Sequence, residues 1–212
     1  MDILLDAIVP FPLKDNYLSS GVWGERIEIK DGMSYLVNAP SGNGKSTLLS
    51  YMYGLRKDYE GRVTIDGRDT KDFSPVEWSR QRQSNISMVF QDLRLFGELT
   101  AWQNILVKRN LAGGTIDDHI INMAQTLGVH DFLHKQVKFL SMGQQQRVAI
   151  IRALVQPFKW LLLDEPFSHI DRENISRAAQ LIREACERNK AGLVITTLGE
   201  NYDLSFGEVL NI

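Results

Sequence analysis

Short apolar runs alternate along the chain with longer stretches in which apolar residues recur at helical spacing. The short runs predict β-strands, and the longer period is typical of amphipathic helices. The predicted strands cover residues 34–37, 62–65, 86–90, 160–163, 192–196 and 207–212, and the predicted helices cover 44–53, 101–111, 117–127, 143–156 and 172–190. This alternation predicts an α/β fold built around a parallel core sheet.

Residues 92–140 interrupt the alternation, because they contain several helix signals and no convincing strand. Within this stretch Thr100 and Thr115 are expected to be N-cap residues. We therefore expect a single domain over residues 1–212, with a core at about 1–91 and 141–212 and an inserted helical subdomain at about 92–140. Pro10 and Pro12 predict an irregular N-terminal stretch with a poorly defined first strand.

The composition is that of a folded globular protein, with 43% hydrophobic and 24% charged residues among 212. A formal net charge of −2 gives no indication of a broad basic surface for nucleic acid. The single cysteine, Cys186, excludes an intramolecular disulfide and fits a reducing compartment. The N-terminus lacks a signal-peptide pattern, and no apolar run approaches the roughly 18 residues that span a bilayer. These features predict a soluble protein that reaches a membrane only through a partner.

The segment between the strand at 34–37 and the helix that starts at 44 has the pattern of a phosphate-binding loop. Gly42 and Gly44 allow a tight turn that directs backbone N–H groups at phosphate oxygens, and the helix adds the positive end of its dipole. Lys45 can reach the β- and γ-phosphates, and the Ser46 hydroxyl can bind Mg²⁺. The predicted ATP-binding residues are Ala39, Pro40, Ser41, Gly42, Asn43, Gly44, Lys45, Ser46 and Thr47, with Ala39 in place of the usual first glycine.

The apolar run at 160–163 ends in two acids, Asp164 and Glu165. Asp164 can hold Mg²⁺ directly or through water, as the acid of a Walker B motif does. Glu165 is then placed to act as the general base for an attacking water. The alternative is that the two acids simply end a strand at the edge of the sheet, but a phosphate loop in the same chain favours the catalytic interpretation.

Three further segments carry a family resemblance. Residues 140–147 (Leu-Ser-Met-Gly-Gln-Gln-Gln-Arg) closely resemble the signature motif of ATP-binding cassette (ABC) proteins. Residues 89–92 around Gln91 resemble the Q-loop, and residues 164–171 resemble a Walker B motif that continues into the D-loop. Together with the phosphate loop, these motifs follow the order of the ABC family and cover about residues 30–197.

The resemblance implies a P-loop NTPase (RecA-like) core with an inserted helical subdomain, and a head-to-tail dimer with a second copy or a similar cassette. Each ATP would lie between the phosphate loop of one subunit and the signature of the other. The implied catalytic residues are Lys45, Gln91 and Glu165, and the implied Mg²⁺ ligands are Ser46, Gln91 and Asp164. The implied contacts to the partner's ATP are Ser141, Met142, Gly143 and Gln144. The implied contact of the D-loop with the partner is Asp171. Ser141 and Gln144 also fit an ordinary helix capping box, and both interpretations can hold together.

The sequence departs from the family pattern at three places. Met142 stands where the signature usually has its first glycine, and Leu198 stands where the family has a switch histidine. Because leucine cannot form a hydrogen bond with the γ-phosphate, we expect slow hydrolysis, with a loss of ~10²–10³ in rate. For the aromatic side chain that stacks on adenine we favour Tyr17 over Phe11 and Trp23, although simple packing is as good an explanation.

The function that fits these motifs best is that of an ABC transporter subunit, which drives a separate integral membrane permease from the cytoplasmic face of the inner membrane. Residues 94–105 resemble the segment after the Q-loop that contacts the permease, and their sequence is most similar to the lipoprotein-release and macrolide-export group. The alternative for this stretch is a routine helix start, with Thr100 as cap and Trp102 in the core. Two other hypotheses stay open: a non-transport ABC ATPase on an envelope or division complex, and a weakly hydrolysing ATP-dependent switch.

Overall fold

The computed structural model describes residues 1–16, 21–40, 42–111, 117–197, 202 and 204–212. Its strands are β1 (Ile3–Pro10), β2 (Arg26–Ile29), β3 (Ser34–Asn38), β4 (Tyr59–Ile65), β5 (Arg68–Asp69), β6 (Ile86–Val89), β7 (Trp160–Asp164), β8 (Gly192–Thr197) and β9 (Glu208–Asn211). Its α-helices are α1 (Lys45–Met52), α2 (Pro75–Ser84), α3 (Ala101–Leu111), α4 (Asp117–Thr126), α5 (Met142–Leu154) and α6 (Arg172–Asn189). Short 3-10 helices cover Phe11–Asn16, Thr70–Asp72, His130–Phe132 and Val137–Phe139.

The larger sheet is parallel, as predicted, and has the strand order β6-β7-β8-β3-β9. All five residues of β7 are buried, because both faces of the sheet are covered. Trp160 and Leu162 pack into the core that contains the apolar residues of α1, whereas Leu161 and Leu163 pack into the core formed with α5 and α6. The continuous apolar run of this strand thus reflects two cores on opposite faces of one sheet.

The carboxyl ends of the parallel strands meet at one edge of this sheet. Asp164 at the end of β7 lies in register with Thr196 of β8, and Asn38 at the end of β3 lies in register with Thr197. In open α/β sheets, ligands bind outside this edge. The loops that follow β3, β6 and β7 therefore start at the same edge of the sheet, with β8 between β7 and β3, and the phosphate loop lies on the same side as the segments after β6 and β7.

The expectation of a poorly defined first strand was wrong, although the chain does leave the strand at Pro10 and forms a short 3-10 helix at Phe11–Asn16. Strand β1 pairs in antiparallel fashion with β2 and β4 in a second sheet of order β2-β1-β4-β5. Its burial alternates regularly until a bulge at Ala7, where φ is +51° and the register shifts. The bulge disturbs the two-residue period that would have revealed the strand, and Pro10 is tolerated because it is the last residue of the strand.

Helix α2 was missed by the sequence analysis because its residues are mostly polar and only Trp78 is buried. A local signal was present, since Ser74 accepts a hydrogen bond from the N–H of Glu77 and the Glu77 carboxylate accepts one from the N–H of Ser74. Pro75 at the first helical position completes this start pattern.

The stretch at 92–140 contains α3 and α4, and its described residues include no strand. Thr100 caps α3 as predicted, because its hydroxyl accepts a hydrogen bond from the N–H of Gln103 at 3.1 Å. Thr115 lies outside the described residues. The division of the chain into a core and a helical subdomain remains a prediction. Among the helices that the structure describes, none combines the length and apolarity needed to cross a membrane.

Candidate functional site

The loop between β3 and α1 has the geometry that its glycines predict. Gly42 has φ +89°, and Gly44, the N-cap of α1, has φ +98°. A side chain at Gly44 would also come within 2.9 Å of Leu13 and Trp23, so glycine is required there for two reasons. Ala39 is buried and has no positive φ, which explains why alanine can replace the usual first glycine. Ser41 lies outside the described residues.

Lys45 is the cation of this loop, and its side chain is only 5% exposed. The Nζ atom donates hydrogen bonds to the carbonyl oxygens of Ala39 at 2.7 Å and Pro40 at 3.4 Å. It also lies 3.5 Å from a carboxylate oxygen of Glu165. The ammonium group is thus held by weakly basic carbonyls and one acid, where it can pair with a phosphate.

Asp164 and Glu165 end β7 in different environments. Asp164 is 3% exposed and accepts a hydrogen bond from the Thr196 hydroxyl at 2.8 Å. Burial raises the pKa of Asp164, although the nearby Ser46 hydroxyl and the hydrogen bond from Thr196 oppose the shift. Glu165 has φ +45°, an uncommon conformation for a residue with a side chain, and its N–H donates to the Thr196 hydroxyl at 3.0 Å.

Gln91 connects the phosphate loop to the acidic end of β7. Its Oε1 accepts a hydrogen bond from the Ser46 hydroxyl at 3.3 Å, and its Nε2 donates to the Glu165 carboxylate at 3.5 Å. A cleft of about 430 Å³ opens beside Ser46, Gln91 and Asp164. The side-chain oxygens of these three residues are hard ligands of the kind that Mg²⁺ prefers, and Mg²⁺ commonly takes only one or two carboxylates beside phosphate oxygens.

The signature residues lie at the start of α5. Ser141 is the N-cap, and it forms the expected capping box with Gln144. Met142 is about half exposed, and a side chain at Gly143 would come within 2.5 Å of the His169 carbonyl oxygen. Within the described residues, no hydrogen bond or ion pair joins 141–144 to the phosphate loop at 42–47. The chain therefore brings together the phosphate loop and the acids, but not the signature.

Asp171 caps α6 through its carboxylate, which accepts hydrogen bonds from the N–H and the side-chain amide of Asn174. These bonds hold the pKa of Asp171 below its usual value. The contact of Asp171 with a partner subunit remains a prediction.

The three candidates for stacking on adenine differ in their surroundings. Tyr17 lies outside the described residues. Trp23 is buried and donates its indole N–H to the Asn43 carbonyl oxygen at 3.2 Å, and Phe11 is half exposed. Leu198 also lies outside the described residues.

Two residues of the site were missed in the sequence. Thr196 bonds both Asp164 and the backbone of Glu165, and Gln146 bonds the loop after β7. The threonine follows an apolar strand run, so its position at the carboxyl edge was a usable signal. Gln146 had no such signal, because only the packing of α5 against the loop gives it a partner.

Gly143→Ala is expected to lower ATP turnover by about 10-fold to 100-fold while leaving ATP affinity of the isolated subunit unchanged. The added methyl group would meet the His169 carbonyl oxygen at 2.5 Å, so the start of α5 must shift, and a shift of about 1 Å can cost two orders of magnitude in rate. Steady-state turnover and nucleotide titration measure the two effects. The control is Gly97→Ala, whose new methyl group meets only Lys138 at 3.7 Å. Wild-type turnover in the Gly143 variant would contradict the prediction.

Comparison with known proteins agrees with this geometry. A model of the ABC transporter family matches residues 25–168. An sn-glycerol-3-phosphate import ATP-binding protein of Rhizobium johnstonii is 38% identical over 169 residues, 78% of this chain and 47% of that protein. The lipoprotein-releasing system ATP-binding protein LolD of Bdellovibrio bacteriovorus is 33% identical over 186 residues, 86% of this chain and 83% of that protein. The chain thus spans about half the length of the first relative and most of the second.

Two solved structures of the cassette MJ0796 share the fold. The dimeric structure of this bacterial ABC transporter cassette matches with a TM-score of 0.83 at 26% identity, over 100% of this chain and 94% of that chain. A dimeric post-hydrolysis state bound to ADP and Pi matches with a TM-score of 0.78 at 28% identity, over 95% of this chain and 90% of that chain. The chain therefore belongs to the ABC transporter family.

Proposed function

We propose that this cassette binds ATP with Mg²⁺, closes head-to-tail with a second copy of itself or a similar cassette, and hydrolyses ATP to drive a separate integral membrane permease. The observation that carries the proposal is the convergence of Lys45, Ser46, Gln91, Asp164 and Glu165 at the carboxyl edge of the parallel sheet. A cation, three oxygen ligands and a further carboxylate in mutual contact beside one cleft are what phosphoryl transfer requires.

The phosphates would lie on the loop at 39–47, where the N-terminus of α1 and Lys45 oppose their negative charge. Ser46, Gln91 and Asp164 would hold Mg²⁺, which when bound supplies further positive charge to the β- and γ-phosphates. Hydroxyl, amide and carboxylate oxygens at one wall of the cleft support this assignment.

Glu165 would accept the proton of the attacking water, with Gln91 orienting that water. The water oxygen forms a bond with the γ-phosphorus, and the bond from that phosphorus to the oxygen bridging to the β-phosphate breaks. ADP and inorganic phosphate leave, and the proton on Glu165 returns to solvent. Lys45 lies 3.5 Å from a carboxylate oxygen of Glu165, so the base lies next to the cation that would bind the phosphates.

The signature residues 141–144 would complete the site of the partner subunit. Two observations support this step: no hydrogen bond or ion pair joins them to the phosphate loop among the described residues of their own chain, and the similar cassette MJ0796 is dimeric in both solved structures. In the closed dimer the N-terminus of α5 would face the γ-phosphate, and Asp171 would lie at the contact between subunits.

The helical subdomain at 92–140 would carry the contact with the permease, at the cytoplasmic face of the inner membrane. Phe96 and Phe139 expose 56% and 60% of their surface, and backbone pairing between Gly97 and Lys138 holds their segments together. Exposed aromatic side chains on neighbouring segments are typical of a protein interface. The similarity to LolD supports a permease of the lipoprotein-release group.

Glu165→Gln is expected to lower ATP turnover by a factor of ~10²–10⁴ and to yield a stable dimer with Mg-ATP. The amide keeps the size of the side chain but cannot accept the proton, so the closed state should accumulate. Molecular mass in solution, with and without Mg-ATP, measures closure, and phosphate release measures turnover.

Glu184→Gln is the matched control, because that exposed acid lies on α6 and bonds only Gln180 among the described residues. Wild-type turnover in the Glu165→Gln variant would contradict the proposed role of Glu165 as the general base. A variant that binds ATP as a monomer at every concentration would instead favour an ATP-dependent switch or a closure that needs the membrane partner.

A further inference from the structure

Gln146 is a buried polar residue on α5, and its side chain is only 1% exposed. Buried amides normally have hydrogen-bond partners, and here all of them lie in the loop between β7 and α6. The Nε2 atom donates to the Glu165 carbonyl oxygen at 3.1 Å and to the Ser168 hydroxyl at 3.3 Å. The Oε1 atom accepts from the backbone N–H of His169 at 3.0 Å.

The orientation of this amide follows from the nature of its partners. A backbone carbonyl can only accept a hydrogen bond, and a backbone N–H can only donate one. Exchanging the nitrogen and oxygen of Gln146 would therefore break the bonds to both Glu165 and His169. Glutamate at this position would lack the donors, and methionine would lack both donors and a strong acceptor.

The hydrogen bond from Gln146 to the Glu165 carbonyl oxygen is made to a residue whose backbone has an unusual conformation. Glu165 has φ +45°, in the left-handed region that residues other than glycine rarely adopt. Side chains hold the peptide groups on both sides of its Cα: Thr196 accepts from the N–H at 3.0 Å, and Gln146 donates to the carbonyl at 3.1 Å. These two contacts set the direction of the Cα–Cβ bond and hence the place of the carboxylate.

The same helix contacts the loop at a second point. Gly143, one turn before Gln146, packs so closely on the His169 carbonyl that a side chain would come within 2.5 Å of it. The loop that carries Glu165 is therefore attached to α5 at its first turn and again at Gln146. A simple alternative is that Gln146 only satisfies the polar atoms of the loop and stabilises the fold.

We propose that Gln146 is a positioning residue that fixes the backbone of Glu165 and thereby aims its carboxylate at the attacking water. The inference rests on the proposed role of Glu165 as general base. Gln146 touches neither nucleotide nor water in this scheme, since its three bonds end on the loop. Because α5 also begins with the signature residues, the base of one ATP site is held by the helix that serves the other.

Gln146→Met tests the inference, because methionine has a similar length but cannot form these bonds. We expect kcat to fall by about 10-fold to 100-fold, since small misplacements of a catalytic group have effects of this size, while KM for ATP changes less than about twofold. Gln180→Met, at an exposed position on α6, is the control and should leave kcat unchanged. Thermal unfolding reports whether the variants are folded.

A double-mutant cycle with Glu165→Gln separates positioning from a structural role. If Gln146 acts through the base, adding Gln146→Met to Glu165→Gln should lower the residual turnover no further. Should Gln146→Met fail to fold, Gln146→Glu replaces it in the cycle, because it keeps the acceptor for His169 and replaces the donors by a second, negatively charged acceptor oxygen, which cannot bond the Glu165 carbonyl.

The outcomes are distinct. A loss in kcat that disappears in the Glu165→Gln background supports the inference. Additive losses, an unchanged kcat, or a rise in KM that accounts for the whole effect would overturn it. Failure of the proposed function shows separately, because Glu165→Gln alone would then retain wild-type turnover whatever residue occupies position 146.

Discussion

Lys45→Ala is expected to lower ATP turnover by at least ~10²–10³ and to weaken ATP binding in parallel. The Lys45 side chain is 5% exposed, and its Nζ atom lies between the Ala39 carbonyl and the Glu165 carboxylate, at the start of α1 where the phosphates would bind. Removing one group that stabilises developing charge in a dry site typically costs this much in rate. Phosphate release and titration with a fluorescent ATP analogue measure the two effects.

The fold should tolerate this change, because alanine favours the first turn of α1 at least as well as lysine does. The matched control is Lys159→Ala, which removes an exposed lysine directly before β7, at the far edge of the parallel sheet. If the Lys45 variant bound ATP as tightly as the wild type, the loop at 39–47 would not be the phosphate site. An equal loss in the Lys159 variant would point to general damage.

Asp164→Asn is expected to lower ATP turnover by a factor of ~10² or more. The same change is expected to stabilise the ligand-free protein at neutral pH. The loss follows because the carboxylate is the only acid among the three proposed Mg²⁺ ligands. The gain follows from burial, which raises the pKa of Asp164 and so disfavours its ionised form in the folded state. Thermal unfolding should show this stabilisation as a higher Tm, by about 2–4 °C for each kcal/mol in a chain of this size.

The pH dependence has a definite sign. An acid whose pKa is raised by folding stabilises the fold below its unfolded pKa, about 3.9 for aspartate, and that contribution is lost as the pH rises through the folded value. The stability advantage of the Asp164→Asn variant over the wild type should therefore appear near neutral pH and vanish below about pH 4. Asp131→Asn, at an exposed side chain, is the control and should show no such difference. Mg-ATP should stabilise the wild type more than the variant, and a variant stabilised equally would contradict the metal assignment.

Much of the architecture could be predicted because the relevant forces act between near neighbours in sequence. Strand β7 was evident as an apolar run, since both faces of the parallel sheet are covered. The loop at 39–47 was evident as a motif, since the turn geometry of Gly42 and Gly44 and the N-terminus of α1 are set by consecutive residues. Thr100 and Ser141 were recognised as caps for the same reason.

The errors arose where pairing partners are distant or where burial is slight. Strand β1 exists because β2 and β4 pair with its two edges, and its bulge at Ala7 conceals the alternation that would have revealed it. Helix α2 buries only Trp78, so its hydrophobic pattern is weak and only its capping box marks it.

Residue types and local motifs are therefore enough to identify the nucleotide loop, the acidic strand end and the family. Which atoms meet is a different matter. Thr196 reaches Asp164 because β7 and β8 are adjacent in the sheet, and Gln146 reaches Glu165 because α5 packs against the loop after β7. Hydrogen bonds between groups far apart in sequence depend on the register of strands and the docking of helices, which arise only when the whole core packs.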